Sequence, residues 1–431
     1  MFAYFKNFGF EKPTEIQENY CSDQNDFSIL LANTGSGKTL AYLIKLALFL
    51  EKNPNEQILI LSPTRELAIQ IYVVLKKLKL PYNNILCYGG HSFKNERLQF
   101  TQKPKIIVAT PGRILDHYKT ETEGLNKFSA LIIDEYDKTL EFGFLNELEA
   151  IYSYSKNLSH IQLISATPIS ELPTFLQNTP FKIFNFLEKK KPSLTYFSVE
   201  AEENDKLKAL ALFLTTIKNE TSIIFCTHRE ATERISKQLT EYGKANQVFH
   251  GGLDQLDREK ALIKFTNGTI DCLIATDLAS RGLDIRDIQN IIHYQFPKSL
   301  EDFIHRNGRT ARMNQSGKIY LIHSENEPLP NYLQTFTIKP FKLAKNFVDY
   351  TQPKFITLYI NIGRKQKIRK MDIVGYFTTE LKIPFDKLGL INIKDTYTYL
   401  AIDCITYLKI KQKITIPVKI KKTNAKINFC R

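Results

Sequence analysis

A chain of 431 residues, 43% hydrophobic and 24% charged, has the composition of a soluble globular protein and is too long for one core, so several domains are expected. The longest apolar stretch, residues 41–50, is broken by Lys45 and reaches about half a bilayer span, and the N-terminus shows no apolar core of a signal peptide, so no membrane partner is expected. The formal charge of +14 is unevenly placed: residues 1–330 carry 39 basic and 39 acidic side chains, residues 331–431 carry 20 and 6, which implies a polyanion-binding module on a neutral body. The six cysteines sit at no metal-ligand spacing, and reduced thiols in a cytoplasm fit them best.

In chain order, Ile29-Leu30-Leu31 reads as the end of a buried strand, Ala32 to Thr39 as a loop and residues 40–50 as a helix. A loop closing on Gly-Lys-Thr between strand and helix is the P-loop pattern, here with Ala32 in place of the usual first Gly. Across Thr34-Gly35-Ser36-Gly37 the glycines let main-chain N–H groups turn onto phosphate oxygens. Lys38 would reach the β- and γ-phosphates, and the Thr39 hydroxyl would hold Mg²⁺. A nucleotide site is expected here. Further strands are expected at 57–61, 85–88, 105–109, 131–133 and 162–164, alternating with helices such as 63–78. Such alternation argues for a parallel sheet covered on both faces, with its ligand crevice at the C-terminal strand ends. Asp134-Glu135 follows one of these strands and fits a Mg²⁺-holding carboxylate beside one that orients or deprotonates the attacking water. A surface acidic turn is the plainer alternative, and the apolar run directly before the pair argues against it.

Residues 188–193, charged and containing Pro192, read as a linker. A second alternation follows, with strands at 223–225, 248–249, 272–274 and 291–292 but no P-loop. In it, Arg306, Arg309 and Arg312 recur every third residue, which on a helix start places them on nearly one face. Facing a P-loop domain, such arginines suit the stabilisation of a transferring phosphate, and Asp284 offers an acceptor to a ribose hydroxyl. From residue 354 a small α+β module is expected: strand 354–362, a basic turn at 363–367, helix 372–381, strands 390–393 and 397–402, a short helix and a last strand 413–420.

These motifs, in this order, resemble the DEAD-box RNA helicases of superfamily 2 across residues 9–312. The resemblance implies two tandem RecA-like α/β domains at 1–187 and 195–330, and an ATP-dependent RNA helicase using ATP and Mg²⁺. It implies that Phe10 stacks on adenine and that Gln17 pairs with the adenine edge. Pro63, Thr64, Arg65, Gly89, Gly90, Thr110, Pro111, Gly112 and Arg113 would contact RNA from the first domain, and Gln255, Arg258 and Thr276 from the second. Asp137, Ser165, Thr167, Asp277, Arg281, His305 and Arg306 would couple hydrolysis to strand separation, with Arg309 and Arg312 as the fingers. An ATP-gated RNA clamp that does not unwind would need the same residues.

The chain departs from the family at Tyr136, where Ala is usual, and at Asn307 and Ala311, where Ile and Gly are usual. Only nine residues precede Phe10, so the family's upstream aromatic has no equivalent; looser adenine discrimination and a start assigned too late both fit that. Residues 352–431 resemble the RRM-like C-terminal domain of the DbpA-like subgroup, which implies a structured element of large-subunit ribosomal RNA as partner and a monomer as the working form. Arg364, Lys365, Lys367 and Arg369 form the densest basic patch and are the expected RNA contacts, with Lys370 beside them. Tyr359, Tyr397 and Tyr399 fit base-stacking platforms and core packing equally well.

Overall fold

The computed structural model describes residues 2–9, 12–33, 35–125, 128–155, 158–169, 171–187, 193–202, 205–280, 288–311, 316–344, 346–350, 352–414 and 417–430. It divides into two compact units, one built on Met1–Ser193, the other on Leu194–Ala279 and most of the chain after it. The expected linker at 188–192 lies outside the described residues, and Ser193 already opens a strand.

The first unit is organised by seven short strands: β1 (Phe27–Leu31), β2 (Ile58–Leu61), β3 (Asn84–Cys87), β4 (Ile106–Ala109), β5 (Ala130–Ile133), β6 (His160–Ser165) and β7 (Lys182–Asn185). They pair in the order β3-β4-β2-β5-β6-β1-β7, parallel throughout. Their apolar runs do not alternate with polar residues because both faces are covered. Ile58 and Ile60 enter a core with Leu43, Leu46 and Ile71 of the helices Lys38–Lys52 and Arg65–Lys77. Leu59 and Leu61 enter the opposite core with Ile114 and Ile151 of the helices Pro111–Lys119 and Leu145–Tyr152. Parallel pairing then brings every strand's C-terminal end, and the motif that follows it, to one edge.

The second unit repeats this plan with β8 (Ser193–Ala201), β9 (Ser222–Phe225), β10 (Gln247–Phe249), β11 (Cys272–Ala275), β12 (Asn290–His293), β13 (Ser316–Ser324) and β14 (Ile338–Pro340). Their order, β10-β11-β9-β12-β13-β8-β14, is that of the first sheet position for position. A C-terminal module follows. Its strands β15 (Phe355–Ile360), β16 (Leu388–Ile393) and β17 (Thr398–Asp403), a hairpin of β18 (Val418–Ile420) and β19 (Thr423–Ala425), and β20 (Ile427–Phe429) include an antiparallel sheet ordered β16-β17-β15-β20. The helices Lys370–Gly375 and Cys404–Ile414 pack on one face of it through Ile373, Tyr407, Ile410 and Ile414.

The expected strand at 413–420 is corrected here. Lys413 and Ile414 end the helix Cys404–Ile414, and among the described residues of that range only Val418–Ile420 forms a strand. Tyr407, Ile410 and Ile414 recur at helical spacing and all three are buried, so packing overrides the β-branched composition. Among the described residues no helix is long and apolar enough to cross a membrane.

Candidate active site and nucleic-acid interface

The P-loop occupies the turn from β1 into the helix Lys38–Lys52. Gly37, at φ +91°, begins that helix without a side-chain cap, so the first N–H groups remain available to an anion. The positive φ strains any other residue at Gly37, and a Cβ there would stand 2.7 Å from Gln17 Nε2 and displace that amide. Gln17 itself is buried: its Nε2 donates to the Gly37 carbonyl at 3.4 Å and its Oε1 accepts from the Thr14 N–H at 2.9 Å. Lys38 is buried and donates to the Ala32 carbonyl at 2.5 Å. Ser36 Oγ is buried with no hydrogen-bond partner among the described residues. An orphaned hydroxyl, a lysine and uncapped N–H groups in one loop fit a phosphate chain. Thr39 is half-buried beside them.

Asp134 directly follows β5 and is almost wholly buried. Tyr42 donates its hydroxyl to Asp134 Oδ2 at 3.0 Å, and the Glu135 N–H reaches Oδ1 at 3.0 Å. Burial first, then the charge of Glu135, push the Asp134 carboxyl well above the ordinary carboxylate range, with Lys38 opposing. A cation beside it would supply the compensating charge, so this donor set fits Mg²⁺. Sequence reasoning missed Tyr42, although its place four residues after Lys38 puts both on one helical face. Glu135 takes the left-handed conformation at φ +49° as the chain turns into the helix Tyr136–Glu141. Tyr136 finds its room in the core with Leu131, Ile133, Leu148 and Ile151; its hydroxyl has no partner among the described residues. Asp137 Oδ2 accepts from Thr167 Oγ1 at 2.6 Å, and Ser165 Oγ donates to the Thr167 carbonyl at 2.6 Å. Three of the expected coupling residues are thus joined directly.

The first domain's expected RNA contacts gather at the ends of β2, β4 and β3, which are neighbours in the sheet. Thr64 caps the helix Arg65–Lys77 through the Leu67 N–H, following Pro63, while Thr110, Pro111 and Gly112 open the helix Pro111–Lys119. The Arg65 guanidinium lies flat enough against Gly89 and Gly90 that a Cβ there would come within 3.0 and 2.9 Å of it. Arg113 is turned inward, with Nε on Glu96 Oε2 at 2.6 Å and Nη2 on the His91 carbonyl at 2.7 Å. It therefore braces the Gly89-Gly90-His91 loop. Glu96, also missed from the sequence, accepts from His117 Nε2 at 2.8 Å; burial would raise its carboxyl, but the bonds from His117 and Arg113 outweigh this and hold it low.

In the second unit the arginine face expected at a helix start is corrected. The helix Leu300–Asn307 ends there, with Gly308 at its C-cap, so Arg309 lies in the turn beyond it. Arg306 points inward, fully buried, and holds Asp277 bidentately at 2.6 and 3.0 Å while donating to the Gln295 carbonyl. That joins two more of the coupling residues; His305 and Arg309 are buried nearby in sequence. The unusual Asn307 accepts the buried His293 as its partner at 2.9 Å, where an Ile would leave that ring nitrogen unmatched. Arg258 donates to Gln255 at 2.8 Å on the helix Gln255–Thr266, and Thr276 follows β11 with its N–H on the Phe249 carbonyl. Phe10, Thr34, Arg281, Asp284 and Arg312 lie outside the described residues. Arg364, Lys365, Lys367, Arg369 and Lys370 are all exposed.

A P-loop unit, a second unit on the same strand plan and an antiparallel module define a nucleotide-driven two-domain enzyme with an appended binding domain. Residues 14–175 match the DEAD/DEAH box helicase family, 204–314 the helicase conserved C-terminal domain and 357–427 the DbpA RNA binding domain. The chain is 30% identical to the ATP-dependent RNA helicase DbpA of Bacillus subtilis (strain 168), covering 96% of this chain and 95% of that protein. It is 30% identical to the Escherichia coli (strain K12) protein of the same name, over 86% and 84%. A structure of S. cerevisiae Dbp5 bound to RNA and ADP BeF3 shares the fold, with a TM-score of 0.69 at 21% identity over 79% of this chain and 92% of that one. The chain belongs to the DEAD-box ATP-dependent RNA helicases of the DbpA type.

Proposed function

We propose that this helicase uses ATP with Mg²⁺ to open short duplexes in a structured element of large-subunit ribosomal RNA, as a cytoplasmic monomer acting in ribosome assembly. The observation that carries the target is the exposed basic loop of Arg364, Lys365, Lys367 and Arg369, in the region matching the DbpA RNA binding domain. Residues 352–431 hold 17 basic and 5 acidic side chains, so phosphate neutralisation and counterion release favour RNA there. All six cysteines are free, which supports a reducing compartment.

In this reading Ser36, Lys38 and the loop N–H groups hold the phosphates, while Thr39 and Asp134 hold the metal. Mg²⁺ would supply charge neutralisation on the β- and γ-oxygens. Glu135 takes a proton from the attacking water or orients it. Gln17 exchanges its bonds to Thr14 and Gly37 for the adenine edge. Arg309 and Arg312 stabilise charge on the transferring phosphate, and the bond between Asp137 and Thr167 links the metal strand to the Ser165 loop.

The test is ATPase stimulated by a ribosomal hairpin fragment against an unrelated RNA of equal length, at two salt concentrations. Full-length protein should prefer the hairpin, and replacing Arg364, Lys365 and Lys367 together by Ala should remove that preference and flatten the salt dependence. A wild-type enzyme with no preference would sink the ribosomal reading. Strand displacement measured on the same RNA separates unwinding from clamping.

A further inference from the structure

The two central strands of the C-terminal sheet are covered on both sides. Ile356, Leu358 and Ile360 of β15, with Leu400 and Ile402 of β17, face the module's own core. The alternate residues would face water in a two-layer module, yet Thr357, Tyr399 and Ala401 are 0%, 0% and 1% exposed. Thr357 stands opposite Ala401, and Tyr359 opposite Tyr399, so these residues form one continuous patch. What covers it is the helix Gln255–Thr266 and the turn after it. Asn267 Nδ2 donates to Thr357 Oγ1 at 3.2 Å, and Thr269 Oγ1 lies 2.6 Å from the same oxygen. Ile263 packs with Tyr399 and Cys430, and Tyr359 and Tyr397 close around them. The three tyrosine rings stand 5.4–5.8 Å apart, packed on one another. Tyr399 is wholly in the seam, and Tyr359 and Tyr397 are half-buried at its edge.

The seam also reaches the basic loop. Gly363 approaches the turn after β16 so closely that a Cβ would stand 2.3 Å from the Lys394 carbonyl. Two main-chain bonds at 2.8 Å, from the Arg364 N–H to Lys394 and from the Lys365 N–H to Asp395, hold the loop to that turn. From the same turn, Lys394 Nζ reaches Glu259 at 3.1 Å and the Tyr397 hydroxyl donates to Glu259 at 3.2 Å. Glu259 neighbours Arg258, on the helix whose first residue is Gln255.

We propose that the helix Gln255–Thr266 is a common support for two RNA contacts, Gln255 and Arg258 at its start and the basic loop through Glu259, so that RNA seated on the module is held in fixed register with RNA on the second α/β domain. Glu259 is the positioning residue. The inference rests on the basic loop being the module's RNA contact. It assigns the sheet face, with Tyr399 and the half-buried Tyr359 and Tyr397, to this support rather than to base stacking. The bonds to Glu259 are partly exposed and of a kind that contributes little to stability, so their loss leaves the fold standing and disturbs only the register. Ile263, Tyr399 and the Thr357 hydroxyl contacts keep the module attached.

The experiment uses full-length protein and compares wild type, Glu259→Gln, and Lys394→Met with Tyr397→Phe, and all three changes combined. Hairpin affinity without nucleotide and ATPase stimulation by hairpin against single-stranded RNA are both measured. Affinity should hold, and stimulation by single-stranded RNA should hold, while the hairpin preference in turnover falls by about 2- to 30-fold. The two sets of changes should not add, because they cut the same link. A wild-type preference that survives in every variant overturns the proposal alone; a wild type without preference overturns the ribosomal reading and this proposal with it. Tyr359→Ala supplies an independent arm. A stacking platform would lose roughly 5- to 150-fold in hairpin affinity, and that result also overturns the proposal. Alkylation of Cys430, located by mass spectrometry, should be slow in folded wild type, since the thiol is 3% exposed in the seam; rapid labelling of the folded protein would show the seam to be open.

Discussion

The two α/β units share one strand order and diverge where the first strand ends. After β1 the chain makes a glycine-rich loop, and Gly37 leaves the N-terminus of the helix Lys38–Lys52 without a side-chain cap. After β8 the corresponding helix, Lys206–Thr216, is capped by Asp205, whose carboxylate accepts from the Lys208 N–H at 3.0 Å. An open N-terminus attracts an anion, while a carboxylate already seated there satisfies the N–H groups and repels a phosphate. The ends of the corresponding strands β5 and β12 show the same contrast with opposite sign. Burial beside Glu135 pushes the Asp134 carboxyl up, whereas burial beside Arg306 pushes His293 down to about 3. One frame therefore carries two unlike chemistries, set by a few residues at the strand ends.

The sharpest way to break that contrast is at Glu135. Glu135→Gln keeps the shape and the metal carboxylate Asp134 but removes the base, and steady-state ATPase should fall by about 10²–10⁴-fold with ATP binding retained. Turnover near wild type would take Glu135 out of the mechanism. In the second unit the matching lesion is structural. Asp277→Asn leaves Arg306, which has no exposed surface, without its charge partner, and should lower that unit's stability by about 1.5–3 kcal/mol. Urea unfolding followed by circular dichroism reads this, and an unchanged midpoint would show the pair to be dispensable.

His293 adds a pH signature to the second unit. Its folded pKa, about 3, lies below the ordinary value of 6.5, so the unfolded chain takes up the proton first. Its contribution is complete above about pH 6.5 and is lost as pH falls toward 3, with a slope of at most ~1.4 kcal/mol per pH unit. His293→Gln, which keeps a donor for Asn307, should flatten that slope in urea midpoints taken from pH 7 to 4. A slope unchanged by the substitution would assign the acid lability to other groups.

Much of this contrast was legible in the sequence. Parallel strands buried on both faces read as plain apolar runs; Asp134-Glu135 and Ser165 to Thr167 follow those runs immediately, and Thr34 to Thr39 follows after Ala32-Asn33. The supporting residues were not legible, because each is a helical polar side chain that nothing nearby in sequence marks out and whose partner is distant. Tyr42 meets Asp134 across 92 positions and Tyr397 meets Glu259 across 138. The arginine face was misread although its stop signal was present: Gly308 directly after Asn307 is a common helix terminator. The end of the helix Cys404–Ile414 was misplaced for a different reason: a short helix was expected before the last strand, but the β-branched run from Lys413 draws that strand too far back until burial of Ile414 against the sheet decides.

The smallest predicted effect separates strain that serves chemistry from strain that does not. Each unit holds a non-glycine residue in the left-handed region beside a functional residue: Glu135 at φ +49° in the first and Ala311 at φ +55°, two positions after Arg309, in the second. That conformation costs an L-residue roughly 1–2 kcal/mol, and glycine avoids the cost while giving back about 0.5–1 kcal/mol in unfolded-chain entropy. Ala311→Gly should therefore stabilise the second unit by about 0.5–1 kcal/mol, raising its thermal midpoint by a few degrees, with turnover unchanged. At Glu135 the same relief is useless, because the side chain carried by the strained backbone is the base itself; Glu135→Gly should match Glu135→Gln in lost turnover whatever it does to stability. If Ala311→Gly instead lowers turnover while melting higher, the rigid backbone at Ala311 is helping to aim Arg309, and the two strained positions belong to one class.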